Sequence, residues 1–247
     1  MERVWIHRHI HKTGGTSIRN LFAKLALANF VSMHHGWRCT ADLNGSRQTQ
    51  VRVFEMHEGC VKFNTNVLPV VERLRVQTPV LLTTFIREPF EHSISAWLWA
   101  GKPSFGKFNR TISYWLPYNM QSNQLLYGDF DRFFMGNKNP QGIVYRQFND
   151  KMFDKLLHIM SHYDIVCPTN MMSFCTQGIL KRLNLPIMSI PHIAPTHLQT
   201  VGKPVNHKKA TAHECKNINC KKLVAVRTRF DKKLYEYAQH FVSKLAN

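Results

Sequence analysis

The spacing of apolar and polar positions predicts strands and helices in turn along the chain. Val4, Ile6 and Ile10 predict a strand over 3–10. Ile18, Leu21, Phe22 and Leu25 fall at i, i+3, i+4 and i+7 and predict a helix over 17–28. Residues 29–50 are polar and glycine-containing without either period, and predict irregular chain. VRVFEM (51–56) predicts a second strand, and LPVVERLR (68–75) a short helix opened by Pro69. VLLTTFI (80–86) is an unbroken β-branched and apolar run, the pattern of a parallel strand buried on both faces. A helix from Pro89 through Trp99 is expected next, then a surface loop over 101–118, rich in Gly, Pro and aromatic residues. NMQSNQLLYG (119–128) predicts a helix ended by Gly128, YDIVCP (163–168) a strand, and the segment from about 171 to 183 another helix. Residues 184–210 predict a loop, and Leu223, Val226, Phe230, Leu234, Tyr237, Phe241 and Leu245 the stripe of one last helix. Strands alternating with helices imply an α/β fold, one domain over 1–247, with a mostly parallel central sheet flanked by helices.

Composition narrows the partners without choosing one. The 247 residues are 44% hydrophobic, enough for a full core, and carry a net charge of +18. Such a field draws nucleic acid, anionic membrane, acidic glycans or phosphate-rich ligands. No run of about 18 apolar residues occurs, so no transmembrane segment is expected. The start, MERVWIHRHIHKTGG, has no apolar signal-peptide core, which leaves a cytoplasmic location or a targeting segment outside this sequence. Six cysteines (Cys39, Cys60, Cys167, Cys175, Cys215, Cys220) are too few for a disulfide scaffold of this length. Cys215 and Cys220 are close enough for a local bridge; with His207 and His213 they match no strong zinc signature, and no metal is expected. Sequons at Asn44 and Asn109 occur at about the frequency chance gives.

Three stretches carry chemistry. KTGGTS, Lys12 through Ser17, lies between a predicted strand and a predicted helix. Two glycines let the backbone turn tightly and bring N–H groups close to an anion. The helix N-terminus adds unpaired donors, Thr13, Thr16 and Ser17 add hydroxyls, and Lys12 adds a charge. The loop is not a Walker A sequence, because Lys12 precedes the glycines Gly14 and Gly15 instead of following them. In IREPFEHSIS, Arg87 directly follows the strand VLLTTFI, and Ser95 lies two turns into the next helix. A guanidinium with a hydroxyl holds a second phosphate, whereas the bland reading is a salt bridge from Arg87 to Glu88 or Glu91. His57 follows VRVFEM, where an imidazole at a strand end serves as general base; among fourteen histidines it would carry nothing alone. Lys12, His57 and Arg87 all follow predicted strands, and the carboxyl ends of parallel strands line the ligand crevice of an open sheet.

With these residues in view, the sequence resembles the carbohydrate sulfotransferases, closest to the group that includes heparan sulfate 2-O-sulfotransferase. HIHKTGGTSI resembles the family's 5′-phosphosulfate loop, and Arg87 to Ser95 resembles its 3′-phosphate motif, roughly RxPxxRxxS. Weaker likeness runs through NMQSNQLLYG, YDIVCPTNMMSFCTQGILKRLNLP and FDKKLYEYAQHF, nearly the whole chain. The resemblance implies a P-loop-like three-layer sandwich and 3′-phosphoadenylyl sulfate (PAPS) as donor, with adenosine 3′,5′-bisphosphate as product. It implies that Lys12, Thr13, Gly14, Gly15, Thr16 and Ser17 bind the phosphosulfate, that Arg87 and Ser95 bind the 3′-phosphate, and that His57 is the catalytic base, with Lys12 also catalytic. The implied partner is a carbohydrate acceptor, an anionic glycan among the candidates, with no specific nucleic acid. It further implies a Golgi lumen location if an anchor precedes this sequence. Three positions depart from the family pattern: His92 replaces its usual Arg, His11 its Pro, and Thr169-Asn170 a Glu-containing pair.

Late basic residues, among them Lys208, Lys209, Lys221, Lys222, Lys232 and Lys233, suit an acidic glycan track or simply a solvated face. Trp97, Trp99, Phe105, Phe108, Tyr114 and Trp115 suit a sugar-stacking wall or ordinary core. Two other classes fit some of these features. A P-loop-type nucleotide or metabolite kinase would use the same sheet, but calls for a lysine after the glycines and an acidic magnesium ligand. A catalytically degenerate polyanion-binding protein fits the charge, and would bind in a steeply salt-dependent way without turnover.

Overall fold

The computed structural model describes residues 2–36, 51–56, 63–100, 112, 116–128, 148–190, 215 and 218–246. Five strands form one sheet: β1 (Arg3–Arg8), β2 (Ser32–Gly36), β3 (Val51–Met56), β4 (Val80–Ile86) and β5 (Ile165–Pro168). Their spatial order is β2-β3-β1-β4-β5, and every pairing is parallel. β1 is central, with Arg8 opposite both Met56 of β3 and Thr84 of β4. The three strands that precede Lys12, His57 and Arg87 are therefore direct neighbours.

Alternation along β1 explains the layering. Val4 and Ile6 point into one core, with Phe54, Leu82 and residues of α2 (Leu68–Arg75), α5 (Asp150–Met160) and α8 (Arg229–Ala246). Trp5 points to the other face, against Phe22 of α1 (Gly15–Leu27), and joins a core completed by α6 (Met172–Arg182). The result is an α/β three-layer sandwich. A third cluster joins α3 (Pro89–Ala100) to α7 (Ile218–Arg227) and includes Trp97, so that tryptophan packs inside instead of lining a sugar wall. Trp99, Phe105, Phe108, Tyr114 and Trp115 lie outside the residues whose side chains are described.

The differences from the sequence expectations have local causes. β1 stops at Arg8, leaving His9 and Ile10 in the turn. α1 starts at Gly15, because Gly14 adopts the left-handed conformation (φ 89°) that caps it. β2 lies inside the segment expected to be irregular; its SMHHG sequence has no strand pattern, and only the ladder to β3 makes it a strand. The expected single last helix is two helices broken at Thr228, and Val226 of the expected stripe is 64% exposed. The Thr228 hydroxyl bonds the Val224 carbonyl, while the Arg227 carbonyl and the Phe230 N–H are taken by Asn119 of another segment. Tertiary bonding thus overrides a helical period.

That segment leads into α4 (Met120–Tyr127), a short helix whose residues Met120 to Leu125 are all buried. Buried polar backbone requires partners, and side chains from three other segments supply them. At its start, Asp231 of α8 accepts from the Gln121 N–H (3.2 Å), the Ser122 N–H (2.8 Å) and the Ser122 hydroxyl (2.7 Å). At its end, Arg8 of β1 donates to the Gln124 carbonyl (2.8 Å). Asn64 donates to the Leu125 and Leu126 carbonyls, both at 2.9 Å. Gly128, with φ 73°, closes the helix as the sequence predicts.

Asp231→Ala leaves those three donors without an acceptor and is expected to cost about 3 kcal/mol of unfolding free energy, read from a urea midpoint at pH 7. Burial pushes the Asp231 carboxyl up from 3.8 to about 6, against the opposing bonds from Ser122 and Gln121. The folded chain therefore binds this proton more tightly than the unfolded chain. The stability it contributes is greatest below about pH 4 and is lost as pH rises to about 6. Asp231→Asn should remove that component of the pH profile.

Candidate functional site

The turn after β1 is built around a few fixed contacts. The Thr13 N–H and hydroxyl both return to the Ile10 carbonyl, at 3.3 Å and 2.7 Å. Thr13 is fully buried and braces the turn from inside; its hydroxyl is already committed. Lys12 holds a left-handed conformation (φ 62°) and is half-buried. The Gly14 carbonyl accepts from the Ser17 N–H (3.0 Å) and the Ile18 N–H (3.4 Å). The N–H groups of Gly15 and Thr16 have no carbonyl behind them in the helix, no side chain caps α1, and no acidic residue lies in its first turn. Thr16 is exposed and Ser17 half-buried. Donors thus cluster at a helix start that carries no negative charge of its own, which suits an anion.

Gly15 is required by a close neighbour, and Gly14 by its left-handed backbone. A side chain at Gly15 would place its Cβ 1.9 Å from Cε1 and Nε2 of His9. One at Gly14 would meet the Met172 methyl at 2.2 Å. His9 itself is tethered. Its Nδ1 lies 2.9 Å from Glu55 Oε1, and Arg19 of α1 grips the same carboxylate with Nε (2.8 Å) and Nη2 (3.0 Å). Burial raises the affinity of Glu55 for a proton, but the bonds from His9 and Arg19 override it and hold the carboxyl well below the usual range. A buried, ionised glutamate on β3 therefore locks the start of α1 to the sheet.

Arg87 reaches the same turn. Its Nη1 donates to the Lys12 carbonyl at 3.4 Å, and its Nε sits 3.4 Å from Glu91 Oε2. The arginine motif and the glycine motif are therefore brought together, and the i,i+4 salt bridge to Glu91 is present as well. Ser95 is half-buried on α3, and its hydroxyl makes no hydrogen bond among the described residues. His57 lies outside the described residues. β3, which it follows, ends at Met56, whose carbonyl accepts from the His9 N–H at 2.9 Å.

His92 does not stand in for an arginine. It is fully buried, and its Nε2 donates to the His11 carbonyl at 2.8 Å, so it is a strut from α3 to the glycine turn. Its Nδ1 is buried and has no hydrogen-bond partner among the described residues. Burial chiefly, with the charges of Arg87 and Lys12, drives its pKa down to about 3 against the opposing His11 bond, so the imidazole is neutral. A neutral strut lets two cations sit either side of it without a third. His7 on β1 is also neutral, lowered to about 3 by burial and by His9.

Sequence reading missed His9, Glu55, Arg19, Gln121 and Gln124. Gln121 accepts from the Arg87 N–H and donates to the Arg87 carbonyl, both at 2.8 Å. Gln124 accepts from the His11 N–H at 3.1 Å. Neither has a local motif; the signal available was two glutamines one turn apart in a helix ended by glycine. Cys167 is bridged to Cys175, and Cys215 to Cys220. The local bridge that the spacing of Cys215 and Cys220 left open is thus present, while His207 and His213 lie outside the described residues. Among the exposed late lysines, Lys233 bonds Asp150 at 2.8 Å. Lys208, Lys209 and Lys216 lie outside the described residues. Compared with models of known protein families and with curated protein sequences, the chain matches none.

Gly15→Ala is expected to cost about 1–3 kcal/mol, because the tethered His9 ring cannot swing away without breaking its bond to Glu55. Gly14→Ala meets only a flexible methionine end and should cost about 1–2 kcal/mol, from its backbone angle. Urea midpoints of both variants check the two figures. His7 and His92 charge in the unfolded chain below about 6.5 but not in the folded one until about 3. Stability from each is therefore full above pH 6.5 and is lost as pH falls. His92→Gln, which keeps a donor for the His11 carbonyl, should remove about 1.4 kcal/mol per pH unit from that slope between pH 6 and 4.

Proposed function

We propose that the protein is a sulfotransferase that moves a sulfuryl group from 3′-phosphoadenylyl sulfate to a hydroxyl of a carbohydrate. The observation that carries this reading is the approach of the Arg87 guanidinium to the Lys12 carbonyl, 3.4 Å, at the start of α1. An unsatisfied helix N-terminus and an arginine clamp side by side suit a ligand with two separated phosphates. In this reading Lys12 and the N–H groups of Gly15 and Thr16 hold the 5′-phosphosulfate, with Ser17 beside them. Arg87 holds the 3′-phosphate, with Ser95, two turns into α3, as its hydroxyl partner. Thr13 contributes by bracing the turn.

The reaction is one in-line displacement at sulfur. The acceptor oxygen forms a bond to sulfur while the bond from sulfur to the 5′-phosphate oxygen breaks. That oxygen keeps the electron pair, and Lys12 with the loop N–H groups stabilises the charge it gains. His57, following the strand beside β1, takes the hydroxyl proton. Aligning acceptor and leaving oxygen supplies much of the rate. The kinase reading is less well supported: Glu55, the acid nearest the turn on the sheet, is bonded by His9 and Arg19. Two disulfides among the described residues favour an oxidising compartment, such as the Golgi lumen, over the cytoplasm.

Turnover with labelled donor against a panel of glycans and simple sugars tests the reading, with ATP as the competing donor. Lys12→Ala and His57→Ala are each expected to lower turnover at least about 100-fold. His57→Ala should still bind adenosine 3′,5′-bisphosphate in calorimetry. Transfer from ATP instead, or nucleotide-free polyanion binding alone, would remove the sulfotransferase assignment.

A further inference from the structure

We propose that Gln121 and Gln124 are positioning residues that set the spacing of the two anion sites, and so make the protein prefer an adenosine phosphorylated at both the 3′ and 5′ positions. The inference rests on the donor assignment above. The two glutamines are three residues apart on α4 and so share one helix face. One side-chain amide pairs with both backbone groups of Arg87, as a neighbouring strand would, at the carboxyl end of β4. The other accepts from His11, directly before Lys12. A single rigid element therefore touches both anion-binding turns.

The guanidinium contacts do not fix Arg87. Both are 3.4 Å long, and the Glu91 partner is 62% exposed, so this pair contributes little. The backbone anchor is part-buried, short and doubled, and it wins. Holding a glutamine in one rotamer inside a core costs more side-chain entropy than a branched aliphatic residue such as Leu or Ile would. The glutamine is needed for what it bonds. Because α4 is itself held at its start by Asp231 and at its end by Arg8 and Asn64, it cannot rock to let the two turns drift apart.

The test compares two ligands by calorimetry on the full chain: adenosine 3′,5′-bisphosphate and adenosine 5′-monophosphate. Wild type is expected to favour the bisphosphate. Gln121→Met, close in size but without the amide, should weaken bisphosphate binding about tenfold and leave the monophosphate within about twofold. Gln124→Met, which loosens the turn common to both ligands, should weaken both alike. Should Gln121→Met not fold, Gln121→Glu keeps the acceptor for the Arg87 N–H, loses the donor to its carbonyl, and should show the same ligand-selective loss. An unchanged ratio of affinities in the Gln121 variant, or equal weakening of both ligands by it, overturns the positioning role while leaving the donor assignment standing. A wild type that does not distinguish the two ligands removes the donor assignment, and this inference with it.

Discussion

The arrangement of the site depends on the amide pair between Gln121 and the backbone of Arg87, and on the helix that carries it. A parallel sheet alone delivers the ends of β1, β3 and β4 to one edge, because their ladders put Arg8, Met56 and Thr84 at the same level. It does not fix how the turns beyond those ends lie against each other. Polar bonds from α4 do that: Gln121 bonds both backbone groups of Arg87, and Gln124 accepts from the His11 N–H. An apolar helix in the same place would fill the space and leave the turns free to choose their own separation.

Charge is distributed to the same effect. The buried acids Glu55 and Asp231 are spent on structure: one fastens α1 to β3, the other caps α4. The neutral His92 supports the glycine turn without adding to the cations around it. Those two acids are thus withdrawn into the fold, while Glu91 stays exposed beside Arg87. With a net charge of +18, the whole molecule also draws anions from a distance, a sequence-independent attraction that supplies encounter rate more than selectivity.

Much of the architecture was legible in the sequence for a plain reason. Buried parallel strands such as VLLTTFI and amphipathic helices such as α1 write their surroundings into local periodicity. The glycine turn and Arg87 were legible as motifs, because left-handed backbone and a strand-end arginine need those residue types. What escaped was whatever depends on a partner far along the chain. β2 is a strand only because β3 lies beside it. The last stripe breaks at Thr228 only because Asn119 takes its backbone. α5 escaped although Phe153, Leu156 and Met160 follow a helical period, the one omission that local pattern could have prevented. His9, Glu55 and the two glutamines of α4 carry no signature at all; their meaning is their geometry.

β1, the central strand, has a bearing on how the chain is made. Both of its ladder partners come later, β3 from Val51 and β4 from Val80. As the polypeptide leaves the ribosome, the apolar stretch around Val4 to Ile6 must wait for dozens of further residues before either neighbour exists. The nucleus of this sheet is thus non-local by construction, and β1 stays without ladder partners on a growing chain until β3 and β4 are made.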